Sequence, residues 1–204
     1  MSSTQTNPHH EPPTLAFRLL ALLSRPLVQG FFRARASGVE HLPEGGFVLC
    51  ANHLSGWDPW ALCHPLYPRQ PRFLVKAELF ASPFVPLLQA LGMFPVSSGD
   101  SVAAAVRHVT AGRIVLVFPE GARRRNRVLR PRSGGARIAL GAGAPLVPAA
   151  VHGTEQVSPL TPWRVAFGPP VPLDDLASIP VTVAAREATR RVWEQVLALE
   201  STLS

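Results

Sequence analysis

Six short apolar runs, several rich in β-branched residues, recur along the chain with helical patterns between them, and this alternation restricts the fold more than any other feature. The runs are FVLCA at 47–51, RFLVK at 72–76, MFPV at 93–96, RIVLVFP at 113–119, PLVPAAV at 145–151 and WRVAF at 163–167. Helical patterns fall near 59–66, 84–91, 100–111, 133–142 and 182–202. In the last of these, Val183, Val192, Val196 and Leu199 are expected to share the inward face while Arg186, Arg190 and Glu194 point out. Strands alternating with helices predict an α/β domain. The residues with chemical potential stand where runs stop: His53 after one, Lys76 after another, Glu120 after a third. In open α/β sheets the C-terminal ends of strands are where sites are built.

A chain of 204 residues suffices for one domain with a substantial core. The formal charge of +7 comes from arginine, since Lys76 is the single lysine among 20 basic residues. That balance favours an anionic partner: a phosphate ligand, an acidic lipid surface or nucleic acid. Cys50 and Cys63 lie inside apolar stretches without metal-type spacing, which argues against a disulfide scaffold or a zinc module. The 22 prolines are scattered among apolar segments and read as turn and boundary markers.

Residues 1–13 are polar and are expected to form a disordered tail. Residues 14–33 follow as a basic amphipathic helix, with Arg18, Arg25, Gln29 and Arg33 on one stripe and a kink near Pro26. Arg18 and Arg25 interrupt the apolar run, so a membrane-spanning helix is not expected, and the pattern is not that of a signal peptide. Two readings stay open: the apolar face packs on the domain, or it lies in a membrane interface. The domain proper is expected over 34–204.

Two stretches carry the chemistry. In ANHLSGWDPW, residues 51–60, an apolar run ends at Asn52-His53 and Asp58 follows five residues later. Asp58-Pro59 is a good helix start in its own right, with Asp as N-cap. The catalytic reading makes His53 a general base and Asp58 the carboxylate that fixes its tautomer and direction. The second stretch is VFPEGARRRNRVLRPRSGG, residues 117–135, in a region with seven arginines from Arg123 to Arg137. A solvated basic loop or a nucleic-acid patch is the plain alternative. The cluster lacks interleaved aromatics for base stacking, which speaks against nucleic acid. Gly121 beside a strand end, followed by Arg123, suits a phosphate clamp better.

Taken together these stretches resemble the bacterial 1-acylglycerol-3-phosphate (lysophosphatidate) acyltransferase family. Asn52, His53 and Asp58 match its first motif; Phe118, Pro119, Glu120, Gly121 and Arg123 match its third, with Ala122 where threonine is usual. Leu146-Val147-Pro148-Ala149-Ala150 matches its fourth, and Lys76, Glu78 and Leu79 match a Lys-x-Glu-Leu stretch. The second motif departs: Ser98 stands where the family has an arginine held to contact the acceptor's phosphate.

The resemblance implies a glycerol-3-phosphate acyltransferase-like fold, a mixed, mostly parallel sheet flanked by helices. It also implies acyl transfer from acyl-CoA or acyl-carrier protein to the hydroxyl of a lysophospholipid, lysophosphatidate first. Catalysis would fall to His53 and Asp58; Asn52, Lys76, Ser98, Glu120, Gly121, Arg123 and Arg124 would line the substrate site. No metal or cofactor beyond the thioester donor is expected, and no nucleic acid. The expected location is peripheral, on an anionic membrane surface at the cytoplasmic face. Two alternatives remain: another lysolipid or alcohol as acceptor, and a non-catalytic lipid-binding protein with this fold.

Overall fold

Strand β2 (Phe47–Ala51) lies in the interior of a parallel arrangement and is buried along its whole length. A computed structural model describes residues 12–81, 83–96, 101–124 and 130–203. Their strands form a sheet of seven: β1 (Arg35–Ser37), β2, β3 (Arg72–Lys76), β4 (Met93–Val96), β5 (Ile114–Val117), β6 (Leu146–His152) and β7 (Arg164–Phe167). The order is β1-β7-β6-β2-β5-β3-β4, parallel throughout except for the β6–β7 pair. Helices α1 (Leu15–Pro26), α2 (Asp58–Leu66), α3 (Val85–Ala90), α4 (Ser101–Thr110), α5 (Gly134–Ala142) and α6 (Val181–Leu203) complete the chain.

The unbroken apolar character of β2 follows from having two covered faces, since successive side chains alternate between them. Phe47, Leu49 and Ala51 join one core with Ala61, Leu62 and Leu66 of α2 and with Trp163. Val48 and Cys50 join the other, with Ala105 and Val109 of α4, Ala136 and Ile138 of α5, and Ala188 and Val192 of α6.

The expected runs at 47–51, 72–76 and 93–96 coincide with strands, and the helical patterns agree to within a residue or two. Three differences have physical causes. Strand β1 is an exposed three-residue edge, too short and too polar to leave an apolar signature. On α6, Val183 is half exposed, while Ala184, Ala185 and Ala188 are buried. Val192 and Val196 are buried and Leu199 packs inward as expected, whereas Val183, nine positions before Val192, falls on the opposite side of the helix.

The third difference lies near the N-terminus. The α-helix does not run from 14 to 33; it ends at Pro26, continues as a π turn (Leu27–Phe31) and then bends at Arg33, whose φ is +47°. Proline clashes with the carbonyl four residues back, which favours a change of winding there. Thr14 caps α1 by accepting from Phe17 N at 3.2 Å. One face of this segment packs on the domain through Phe17, Ser24 and Val28, with Trp60 Nε1 donating to Ser24 Oγ at 3.1 Å. The opposite face leaves Leu15, Leu19, Leu22 and Leu23 exposed. The expected tail lies outside the described residues up to position 11.

Gly46, just ahead of β2, lets the end of α4 approach closely: a Cβ there would stand 2.0 Å from Val109 O and 3.1 Å from Gly112 Cα. Both obstacles are backbone and cannot swing aside. At Gly45 a Cβ would meet nothing within 4 Å. Gly46→Ala is therefore expected to lose about 1–3 kcal/mol of stability or more by urea unfolding, whereas Gly45→Ala should stay within about 0.5 kcal/mol of wild type. Equal unfolding midpoints for the two variants would contradict this packing.

Candidate active site

The pairing of β2 with β5 sets Cys50 beside Val117, and three residues beyond each partner stand His53 and Glu120. Between them and β6, Asn52 closes the end of the sheet. Its side chain donates to Val151 O at 3.0 Å and accepts from Val151 N at 2.8 Å, replacing the ladder where β2 stops. Asn52 is fully buried, and it fixes the point at which the chain leaves the sheet.

His53 Nδ1 donates to Asp58 Oδ2 at 2.7 Å. Asp58 is the first residue of α2, but its carboxylate turns back toward the loop instead of capping the helix. Oδ2 also accepts from Leu54 N at 2.6 Å and Ser55 N at 2.9 Å. Oδ1 accepts from Ser55 Oγ at 3.3 Å and from the Thr154 hydroxyl. A carboxylate with 0% exposure thus has its acceptor capacity filled by five donors. With the carboxylate as acceptor, Nδ1 carries the proton and Nε2 is left with a free lone pair. The Phe118 ring stacks on the imidazole at 4.1 Å between centroids, so ring direction is set from its face as well as its edge.

Glu120 is buried behind His53. Its Oε1 accepts from His53 N at 3.4 Å and from Arg124 Nη2 at 2.9 Å, while Oε2 is buried with no hydrogen-bond partner among the described residues. Arg124 also donates through Nη1 to both oxygens of Glu200 on α6, at 2.9 and 3.0 Å, and through its backbone N to His53 O at 2.7 Å. Burial works against its charge, but its hydrogen bonds to Glu120 and Glu200 outweigh that and hold the guanidinium above its ordinary pKa.

Gly121, at φ +69°, makes the turn that follows Glu120; a Cβ there would press on the Arg132 guanidinium at 3.0 Å. Arg123 is exposed, and its Nη1 lies 4.0 Å from where a Cβ on Gly56 would stand, over the loop that joins His53 to Asp58. Gly56 also lines an apolar cavity of about 420 Å³. Phe17, Leu20 and Ala21 of α1 form one wall; Trp57, Trp60 and Cys63 form another; Phe73 and Met93 contribute from the sheet.

The structure thus brings together Asn52, His53, Asp58, Glu120, Gly121, Arg123 and Arg124. Lys76 ends β3, where it pairs in register with Val96; its side chain, like Ser98 and the arginines at 125 and 127, lies outside the described residues. Sequence reasoning missed three contributors. Ser55 sits within the first motif. Thr154 follows a strand end in the same way as His53, which was a usable signal. Glu200, on a long surface helix, gave none. Cys50 is 1% exposed and burial pushes its thiol up to about 12, so it is a core residue.

Four similarities to known proteins bear on this arrangement. An uncharacterized protein of Mycobacterium tuberculosis is 27% identical over 230 residues, covering 85% of this chain and 64% of that protein. A 1-acyl-sn-glycerol-3-phosphate acyltransferase of Streptococcus pneumoniae is 27% identical over 139 residues, covering 64% of this chain and 52% of that enzyme. The chain therefore matches somewhat over half the length of these relatives. The crystal structure of the 1-acyl-sn-glycerophosphate (LPA) acyltransferase PlsC from Thermotoga maritima has the same fold, with a TM-score of 0.62 at 22% identity over 88% of this chain and 79% of that one. The acyltransferase family model matches residues 33–152, from the residue that bends the chain toward β1 to the last residue of β6, and on that match the chain belongs to the acyltransferase family.

Proposed function

We propose that this protein moves a fatty acyl group from a thioester, acyl-CoA or acyl-carrier protein, to the free hydroxyl of lysophosphatidate, giving phosphatidate. The observation that carries the reading is the His53–Asp58 pair, with Nδ1 committed to a buried carboxylate, beside an apolar cavity of about 420 Å³. His53 Nε2 takes the proton of the acceptor hydroxyl as its oxygen attacks the thioester carbonyl. The tetrahedral intermediate then expels the thiolate, which recovers that proton from the imidazolium. Asp58 stabilises the imidazolium between these steps. No covalent acyl-enzyme is needed. The cavity suits the acyl chain, and Arg123, exposed near Gly56, suits the phosphate. The Streptococcus relative, a 1-acyl-sn-glycerol-3-phosphate acyltransferase, supports the same acceptor. Ser98, where the family has arginine, favours a second reading in which another lysolipid is the acceptor.

We further propose that the protein works peripherally on an anionic membrane, at the cytoplasmic face. No helix of the described residues is long and apolar enough to cross a bilayer. Leu15, Leu19, Leu22 and Leu23 are nevertheless exposed on α1, and Phe84 and Leu87 are exposed at α3. Arg18 and Arg25 supply positive charge beside the leucines, each basic residue near an anionic surface being worth about 1 kcal/mol.

His53→Ala is expected to lower kcat/KM for transfer by roughly a hundredfold to ten-thousandfold without unfolding the protein; near-normal turnover in a thiol-release assay would sink the mechanism. For the phosphate, steady-state kinetics on lysophosphatidate beside zwitterionic and uncharged lysolipids should show Arg123→Ala raising KM only for the anionic acceptor. The expected rise is about tenfold to a hundredfold, the equivalent of a charge-assisted hydrogen bond. An unchanged KM would remove Arg123 from the phosphate site. Sedimentation with anionic vesicles tests the membrane reading: Leu19→Glu/Leu22→Glu should bind several-fold less than wild type, and equal binding would refute it.

A further inference from the structure

The family match ends at residue 152, yet the last helix reaches the site. Glu120 and Arg124 together grip both backbone groups of His53: Glu120 Oε1 accepts from its N–H, and Arg124 N donates to its carbonyl at 2.7 Å. The two side chains are joined by the 2.9 Å bond from Arg124 Nη2 to the same Glu120 oxygen. The other terminal nitrogen, Nη1, is engaged by Glu200, with contacts of 2.9 and 3.0 Å to its two oxygens. Trp193, two turns earlier on α6, presents its ring 5.8 Å from the guanidinium carbon. The side chain of Glu120 is fully buried, and those of Arg124 and Glu200 are 25% and 19% exposed. Partial burial makes such a pair worth more than an exposed one.

We propose that Glu200 and Arg124 are positioning residues: through Glu120 they hold the His53 backbone so that its Nε2 faces the reacting hydroxyl, and α6 is thereby part of the catalytic apparatus. Arg124 then serves the enzyme's own frame, and the neighbouring Arg123 is the arginine left for substrate. A guanidinium whose two terminal nitrogens are both held by carboxylates has its charge offset and little left to offer a phosphate. The kinetic part of this inference rests on the acyl-transfer reading, but the geometric part does not.

The test uses the full chain with Glu200→Ala, Glu200→Gln, Arg124→Ala and the Arg124→Ala/Glu200→Ala double variant. Glu194→Gln on the same helix, whose partner is the exposed Arg190, is the control. Both Glu200 variants should lower kcat by about tenfold, and Arg124→Ala by about tenfold to a hundredfold, with KM for the lysolipid changed less than about twofold. The double variant should be no slower than Arg124→Ala, because one path of contacts is broken either way. Glu194→Gln should match wild type. In parallel, the Nδ1 proton of His53, observed by NMR, should shift or broaden in Glu200→Ala and Glu200→Gln and stay in place in Glu194→Gln. Glu200→Gln keeps the shape of the side chain, so the test survives if the alanine variant fails to fold. Wild-type kcat in both Glu200 variants, strict additivity, or a raised KM with unchanged kcat in Arg124→Ala would each overturn the proposal. If wild type transfers acyl groups to no lysolipid, the acyl-transfer reading falls, and the imidazole signal alone decides whether α6 positions His53.

Discussion

Two parallel strands that stop at the same height determine this site. The β2–β5 register places Cys50 against Val117, so the chains that leave those strands emerge side by side, and His53 and Glu120 meet although 67 positions separate them. Slipping that register by one residue would turn every buried side chain of β2 to the opposite face. The two cores, one under α2 and one under α4, α5 and α6, therefore fix where His53 and Glu120 stand. Asn52 then converts the end of the sheet into a defined exit by bonding both backbone groups of Val151.

From that frame the Asp58 carboxylate is tied down by five donors, in a position with 0% exposure. An unmatched buried polar group costs about 1–3 kcal/mol, and more when it is charged, so each donor is as much a requirement of folding as a feature of the site. Backbone N–H groups of Leu54 and Ser55 provide two of them, which means the loop can only close with the carboxylate in place. The same closure aims the imidazole. Fold and chemistry share their contacts here, and loss of the carboxylate would be felt by both.

Much of this was legible in the sequence. Continuous apolar runs and period-3.6 patterns marked the principal strands and helices, because burial on both faces of the sheet leaves its strands apolar throughout. His53 and Glu120 were visible at run ends, and Asp58 by its spacing from His53, because such positions are a matter of one dimension. What escaped was set by three-dimensional packing. Val183 was expected inward on α6 and is half exposed; Val192 and Val196 are buried as expected, with the alanines at 184, 185 and 188 completing the buried face. Thr154 and Glu200 reach the site from 96 and 76 positions beyond their partners, and no local pattern encodes such distances. The role of Arg123 against Arg124 was equally hidden, since only the fold shows which guanidinium is already engaged.

The apolar cavity has one wall, Phe17, Leu20 and Ala21, that lies ahead of the matched family segment and belongs to the helix whose outer face carries the exposed leucines. A single helix thus separates the cavity from whatever covers those leucines. Moving a hydrocarbon chain through water costs about 0.8 kcal/mol per methylene, but a chain that slides past α1 from a bilayer into the cavity never leaves an apolar medium. On the membrane-bound reading, the enzyme would then sample its acceptor in two dimensions. Its saturation would follow the mole fraction of lysolipid within the bilayer, and diluting the surface with inert lipid would slow it even when the total substrate in the vessel is unchanged.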